Sequence, residues 1–485
     1  MKRTLFVGAL SALGTLAGLL AGAGPAFGFC GFFVAGSDAK LTNHASQVVL
    51  LREGRRTVMT LSNTYQGPPE NFAMVVPVPT VLKKEDVRTL APDVFDHIDA
   101  LSAPRLVEYW EQDPCDQPRY EKAKKASSGG PPRPAPPASR AAEGDYGVTV
   151  EARFAVGEYE IVILSAKDSG GLERWLVDSR YKIPAGAGAA LAPYVRDQMK
   201  FFVAKVNIQK VKKNEKGLVV LSPLRVSFEA EDLRLPVRLG LLNAGEKQDL
   251  IVYVLHPDSR FEVANYPNVF IPTNLDVVDE VRKSFPAFYA ELFDATIEKM
   301  NRRAVVTEYA WQTTSCDPCP TPPLVPSDLA TLGAPVDGGG AGEEQVVRGQ
   351  SYHGSFAPWV LTRLHTRYDR ATLSEDLIFR MAKPVVGGRA NWDGTSLDAG
   401  SRPSDSGVNG FQGRYIIRHY WTGPVKCQNP RYGVWGGPPG GGQPQPEAAR
   451  GLALAPRGKV KLPASVRSPV PLLGLPGQPP PHRNK

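Results

Sequence analysis

The sequence predicts an α+β fold built on a mixed β-sheet. Three observations carry that expectation. Apolar runs with strand periodicity recur from residue 47 to residue 421. Helical periodicity is confined to a few segments, the strongest at 285–300. Residues 158–207 read as strand, helix, turn, helix and strand. The chain has 485 residues, of which 42% are hydrophobic, enough for a core. Its 47 Gly and 45 Pro cluster, which points to linkers rather than a fibrous repeat.

Residues 1–28 have the pattern of a secretory signal peptide. Lys2 and Arg3 give a positive start, 5–20 is an apolar core, and Ala26 and Gly28 are small residues at the positions a signal peptidase reads. A mature chain then starts at Phe29. An uncleaved anchor is disfavoured because Gly and Ala dilute the segment and Pro25 breaks it. Phe29 is too large to precede a lipid-modified Cys30. No other stretch is long and apolar enough to span a membrane.

Residues 47–53 and 57–64 flank Gly54 and Arg55 as a hairpin. Residues 71–79 form a third strand, whose Pro77 and Pro79 belong at a sheet edge because proline has no N–H for the ladder. Val94, Phe95 and Ile98 mark a helix over 92–100, and 105–110 is a short strand. Residues 148–156 and 158–166 are strands about Gly157. Asp168 or Ser169 is placed to cap the following helix, where a side-chain oxygen satisfies free backbone N–H groups. Leu172, Trp175 and Leu176 share a face of that helix, and Leu191, Tyr194, Val195 and Met199 share a face of the next. Residues 201–208 return as a strand. A strand-helix-helix-strand crossover of this length predicts parallel pairing with a right-handed connection. Further strands fall at 218–230, 249–256, 304–312, 360–368, 377–382 and 414–421, and the helix at 285–300 is capped by Ser284.

Pro/Gly-rich breaks then divide the chain. They delimit a signal peptide (1–28), a main α+β domain (29–319) with a Pro-rich insert at about 122–144, a linker (320–350), a β-rich C-terminal portion (351–435) and a basic, disordered tail (436–485). The net charge of +8 is localised. Lys2 and Arg3 supply two charges, and the tail supplies six through seven basic residues against Glu447 alone. The body is near neutral, so the charge gives no nucleic-acid-binding face. A basic tail suits contact with an anionic envelope surface instead.

The five cysteines, Cys30, Cys115, Cys316, Cys319 and Cys427, are disulfide candidates in an exported chain, and spacing does not choose their pairing. Cys316 and Cys319 form a CxxC motif. A redox pair of the thioredoxin kind begins a helix, but Pro320, Pro322 and Pro323 follow here, which favours a structural bridge. A zinc site lacks its other two ligands. Residues 360–368 alternate, with Val360, Leu364 and Tyr368 on one face and Arg363, His365 and Arg367 on the other. Beside Arg414 and Arg418, that second face could hold a carboxylate or phosphate. A solvated sheet face, with arginines for solubility and edge protection, is the preferred reading, because alternation alone accounts for the pattern. Trp175, Tyr181 and Tyr194 sit at core spacing and offer an aromatic pocket only as the second reading. No G-x-S-x-G elbow, P-loop, H-E-x-x-H or G-x-G-x-x-G after a strand appears. No catalytic residue, metal or cofactor is therefore assigned.

Six stretches resemble bacterial exported proteins of the domain-of-unknown-function family 2330. They are CGFFVAGSDAKL, NTYQGPPENFAMVVPVP, SAPRLVEYW, the 158–207 unit, TSCDPCP and LTRLHTRYDRATLSEDLIFR. The resemblance implies export to the envelope and no particular reaction. The expected protein is a non-enzymatic envelope protein with a binding or structural role. The alternative is an extracytoplasmic thiol–disulfide enzyme using Cys316 and Cys319.

Overall fold

Two β-sheets stacked face to face carry the fold. The computed structural model describes residues 32–35, 43–62, 72–115, 148–213, 219–242, 244–335, 344–347, 350–353, 358–389, 400–404, 406–441, 446–449 and 455–478. The expected signal segment at 1–28, Cys30 and the expected insert at about 122–144 lie outside them. The helices are α1 (Asp93–Ser102), α2 (Ser169–Asp178), α3 (Ala187–Arg196), α4 (Phe285–Glu298), α5 (Pro326–Thr331) and α6 (Leu462–Ser465).

The larger sheet has eleven strands. At its middle, Ala244–His256 pairs in parallel with Asn43–Glu53 and antiparallel with Val360–Tyr368. Val360–Tyr368 also pairs antiparallel with Val305–Gln312. Asn43–Glu53 turns at Gly54, whose φ of 55° suits a residue without Cβ, into Arg56–Leu61. Residues 360–368 therefore supply a central strand to the same sheet as the N-terminal hairpin.

The smaller sheet is antiparallel throughout, in the order Phe32–Ala35, Phe72–Val78, Lys200–Val206, Tyr159–Ala166, Val148–Val156. The expected parallel crossover is overturned here: Tyr159–Ala166 and Lys200–Val206 pair antiparallel. The reason is geometric. One helix would carry the chain back for a parallel strand, but α2 and α3 form a hairpin that returns it to the end it left. Asp168 caps α2, its Oδ1 accepting from the Gly171 N–H at 2.6 Å. Phe32–Ala35 covers only Phe72 to Val75, so Pro77 sits where its strand has one described neighbour.

The core lies between the sheets. Val48, Leu50, Met59 and Leu61 of the larger meet Met74, Val76, Ile161, Ile163 and Phe202 of the smaller. The α2–α3 hairpin covers the outer face of the smaller sheet through Leu172, Trp175, Leu176 and Leu191. On the far face of the larger sheet, α1 and α5 pack Phe95, Ile98 and Leu329 against Val49, Leu51 and Trp311. The α4 helix packs Phe285, Phe288 and Leu292 against Val306, Tyr415 and Ile417. Both faces of the larger sheet are therefore covered.

The C-terminal stretch departs from the expected disordered tail. Trp435–Gly436 and Glu447–Ala448 pair with Arg105–Glu111. Val466 and Val470 are buried in the α4 cluster. Arg457 donates through Nε to Asp294 Oδ2 at 2.8 Å, and Arg467 lies 3.6 Å from Asp279. Pro/Gly-rich composition hid a few well-spaced apolar anchors and two arginines with carboxylates to meet. Replacing Val466, 1% exposed, by Ala should lower the unfolding free energy by about 1–2 kcal/mol, read as a lower denaturant midpoint. A tail free in solution would leave the midpoint unchanged.

Candidate functional site

Arg363 and His365 share one face of Val360–Tyr368, and both are buried, at 0% and 1% exposure. Their strand lies between two others, and helices cover the face they occupy. Arg363 Nε donates to Glu308 Oε2 at 2.6 Å, and its Nη1 donates to Asp99 Oδ1 at 2.6 Å. His365 Nδ1 is 2.7 Å from Glu308 Oε1, and Nε2 is 3.1 Å from Asp249 Oδ1. Phe293 of α4 stacks on the imidazole with centroids 3.9 Å apart. Tyr253 donates to Asp99 and Tyr289 to Glu308, at 2.8 and 2.5 Å. Arg367 and Arg457 complete the cluster beside Asp249 and Asp294. Four cations, Arg363, His365, Arg367 and Arg457, thus face four carboxylates, Asp99, Asp249, Asp294 and Glu308.

Burial alone would lower the His365 pKa. The Glu308 charge and the bonds to Asp249 and Glu308 overcome it and carry the imidazole up to about 9. Burial would likewise raise the Glu308 carboxyl, yet His365 and Arg363 hold it down at about 2. Arg363 stays charged well above its ordinary range despite burial, because Tyr253, Asp99 and Glu308 surround it. A doubly bonded imidazolium has no lone pair to accept a proton or bind a metal. The cluster is matched in charge, closed by Phe293, and suited to holding elements together. The expected polar face is therefore corrected. The alternation is there, but Arg363 and His365 are buried and Arg367 is half-buried, because α1, α4 and the neighbouring strands bring carboxylates to them. Among the described residues, no group of three His, Cys, Asp or Glu side chains is placed to hold a metal ion.

Sequence reasoning missed Glu308, Asp99, Asp249 and Asp294. Two signals were present. Glu308 interrupts the apolar strand Val305–Gln312, and Asp99 follows Phe95 by one helical turn on the apolar stripe of α1.

The cysteines pair as Cys115–Cys427 and Cys316–Cys319. The first joins the end of Arg105–Glu111 to the loop after Arg414–His419. The second closes a half-buried loop between Val305–Gln312 and α5. Several polar groups grip that loop. Arg105 Nη1 donates to Pro318 O at 2.7 Å, Arg389 Nε reaches Asp317 Oδ2 at 3.4 Å, and the Gln412 amide donates to Asp317 O.

Trp175 and Tyr181 are brought together at a cleft of about 380 Å³ on the outer face of the smaller sheet. Val162 and Val203 line its apolar part, and Arg153, Glu160 and Lys205 supply charge. Lys205 Nζ lies 4.0 Å from Glu160 Oε2. Burial, then the Glu160 charge, pushes the Tyr181 hydroxyl up to about 12, so it stays a donor. Tyr194 is not part of this cleft. It lines another, of about 290 Å³, and donates to Asp376 at 2.8 Å.

Among known proteins, the family described as an uncharacterized protein conserved in bacteria (DUF2330) matches residues 24–380. No curated protein and no solved structure matches the chain.

The buried cluster sets a pH dependence. Folding raises the His365 pKa from 6.5 to about 9, so its contribution is whole below about pH 6.5 and is lost as pH rises through 9. Folding lowers the Glu308 pKa from 4.5 to about 2, so its contribution is whole above pH 4.5 and is lost as pH falls towards 2. Stability from denaturant titrations should therefore decline from about pH 7 to about pH 10. His365→Gln should cost about 3–5 kcal/mol at neutral pH and flatten that limb. An equally steep alkaline limb in the variant would assign it to other groups.

Proposed function

The chain belongs to the DUF2330 family of bacterial proteins, and we propose that it is an exported cell-envelope protein with a binding or structural role rather than a catalytic one. One observation carries this reading. The Arg363–His365–Glu308 centre is buried and self-neutralised, whereas the cleft lined by the edges of the largely buried Trp175 and Tyr181 carries both signs of charge on exposed or half-exposed Arg153, Glu160 and Lys205. Aromatic rings present flat apolar surface with a polar tip, and a few placed charges fix orientation, as ligand sites require. The ligand class that fits is an envelope glycan bearing anionic groups, with the sugar against Trp175 and Tyr181 and its acid groups near Arg153 and Lys205. The leader-like segment at 1–28 supports export. Exposed Lys459 and Lys461 of the C-terminal stretch add attraction to an anionic surface. No helix among the described residues is long and apolar enough to cross a membrane.

A second reading, thiol–disulfide exchange at Cys316 and Cys319, is favoured by one observation: that bridge lies on a half-exposed loop beside arginine side chains.

Calorimetric titration with acidic envelope glycan fragments tests the first reading. Arg153→Gln with Lys205→Gln, both on exposed or half-exposed sheet positions, should weaken binding about tenfold, or about 1.4 kcal/mol, and leave the denaturant midpoint unchanged. Unaltered affinity in the folded double variant would remove the cleft from the account.

A further inference from the structure

We infer that Arg105 and Arg389 are positioning residues that hold a positive field on the Cys316–Cys319 loop and make this bridge the more readily reduced of the two; the inference rests on the thiol–disulfide reading.

The two arginines differ in how they reach the loop. Arg105 is wholly buried, at 0% exposure. Its Nη1 donates to Pro318 O inside the loop, and its Nη2 donates to Leu101 O at 2.7 Å. Its guanidinium lies 5.6 Å from the Tyr309 ring centroid, and its Nε has no partner. No carboxylate among the described residues forms an ion pair with it. Arg414, its register partner on the parallel neighbouring strand, is also fully buried. It bonds Asn274 and Tyr109, both neutral, and its Nε is unpartnered too. Burial lowers both guanidinium pKa values, Arg105 to about 10, and the Arg414 charge adds to the lowering of Arg105. Arg389, part-exposed, spans the Asp317 carboxylate and the Trp311 ring. Three cations thus converge where Asp317 is the carboxylate that faces them. Cys115–Cys427 has a different setting, with the Asp113 carboxylate accepting from the Cys115 N–H at 2.9 Å.

Such a field acts on the reduced form. Breaking a disulfide creates thiolate, and nearby positive charge stabilises thiolate over thiol. Stabilising the reduced state makes the bridge a stronger oxidant. The co-reactant is an external dithiol. One of its thiolates attacks Cys319 Sγ, the S–S bond breaks, and Cys316, packed against the core, leaves as a thiolate. The second dithiol sulfur then attacks the mixed disulfide and releases Cys319. Two electrons pass to the protein, the dithiol departs as its own disulfide, and its protons pass to the cysteine sulfurs or to water.

The test equilibrates the full-length oxidised protein with dithiothreitol redox buffers. Differential alkylation and peptide mass spectrometry then read each bridge, with circular dichroism confirming the fold. Cys316–Cys319 should open at a less reducing potential than Cys115–Cys427. Arg389→Gln should make its reduction about tenfold less favourable, ~30 mV for a two-electron couple. Asp317→Asn breaks the same ion pair but removes the anion, so it should shift the equilibrium about tenfold the other way. If Arg105→Gln folds, it should move the potential in the Arg389→Gln direction. A loop merely loosened by losing its ion pair would shift the same way in both Arg389→Gln and Asp317→Asn, which would overturn the inference alone. A bridge reduced only as the protein unfolds would overturn the thiol–disulfide reading with it.

Discussion

Two positive side chains on an interior strand impose the main constraint on this fold. Arg363 and His365 project from Val360–Tyr368, which has a strand on either side and helices over the face they occupy. A charge there is costly unless it is paired and hydrogen-bonded. The chain meets that requirement from distant places. Glu308 comes from the adjacent strand, Asp249 from the strand on the other side, Asp99 from α1, and the Phe293 lid from α4. Arg457 of the C-terminal stretch then matches Asp294. Elements spanning residues 93 to 457 are thus bound to one electrostatic account, and none can leave without stranding a buried charge.

This explains which parts of the fold were legible in the sequence. Strands and helices follow from local periodicity, so 148–156, 360–368 and the α4 segment were readable, as was the Asp168 cap. Pairing was not. The 158–207 unit has two helices, and whether they form a hairpin or a crossover depends on what each packs against. The Arg363–Arg367 alternation was visible as well, but a period of two says only that two faces differ. Whether the polar face meets water or carboxylates is decided by residues more than fifty positions away. The C-terminal stretch was misread because composition averages over the few residues that matter. Val466, Val470 and Arg457 dock it, and the surrounding Pro and Gly do not oppose that.

The same division separates structure from chemistry. The centre of the most charged cluster, Arg363, His365 and Glu308, is buried, and its charges face one another. What stays accessible lies at the margins: the cleft beside Trp175 and Tyr181, and the Cys316–Cys319 loop on its bed of arginines. The two differ in kind. The cleft has shape and mixed charge, and the loop carries a disulfide. A family without an assigned reaction is compatible with either, and they make separate demands on the chain.

The central claim is that His365 is a buried strut that stays charged at neutral pH. Nuclear magnetic resonance of the folded protein with labelled histidine measures this directly. The account predicts that the His365 imidazole stays protonated through neutral pH and titrates near pH 9, with both ring N–H protons protected from exchange. A His365 resonance that titrates near 6.5 with freely exchanging protons would contradict it.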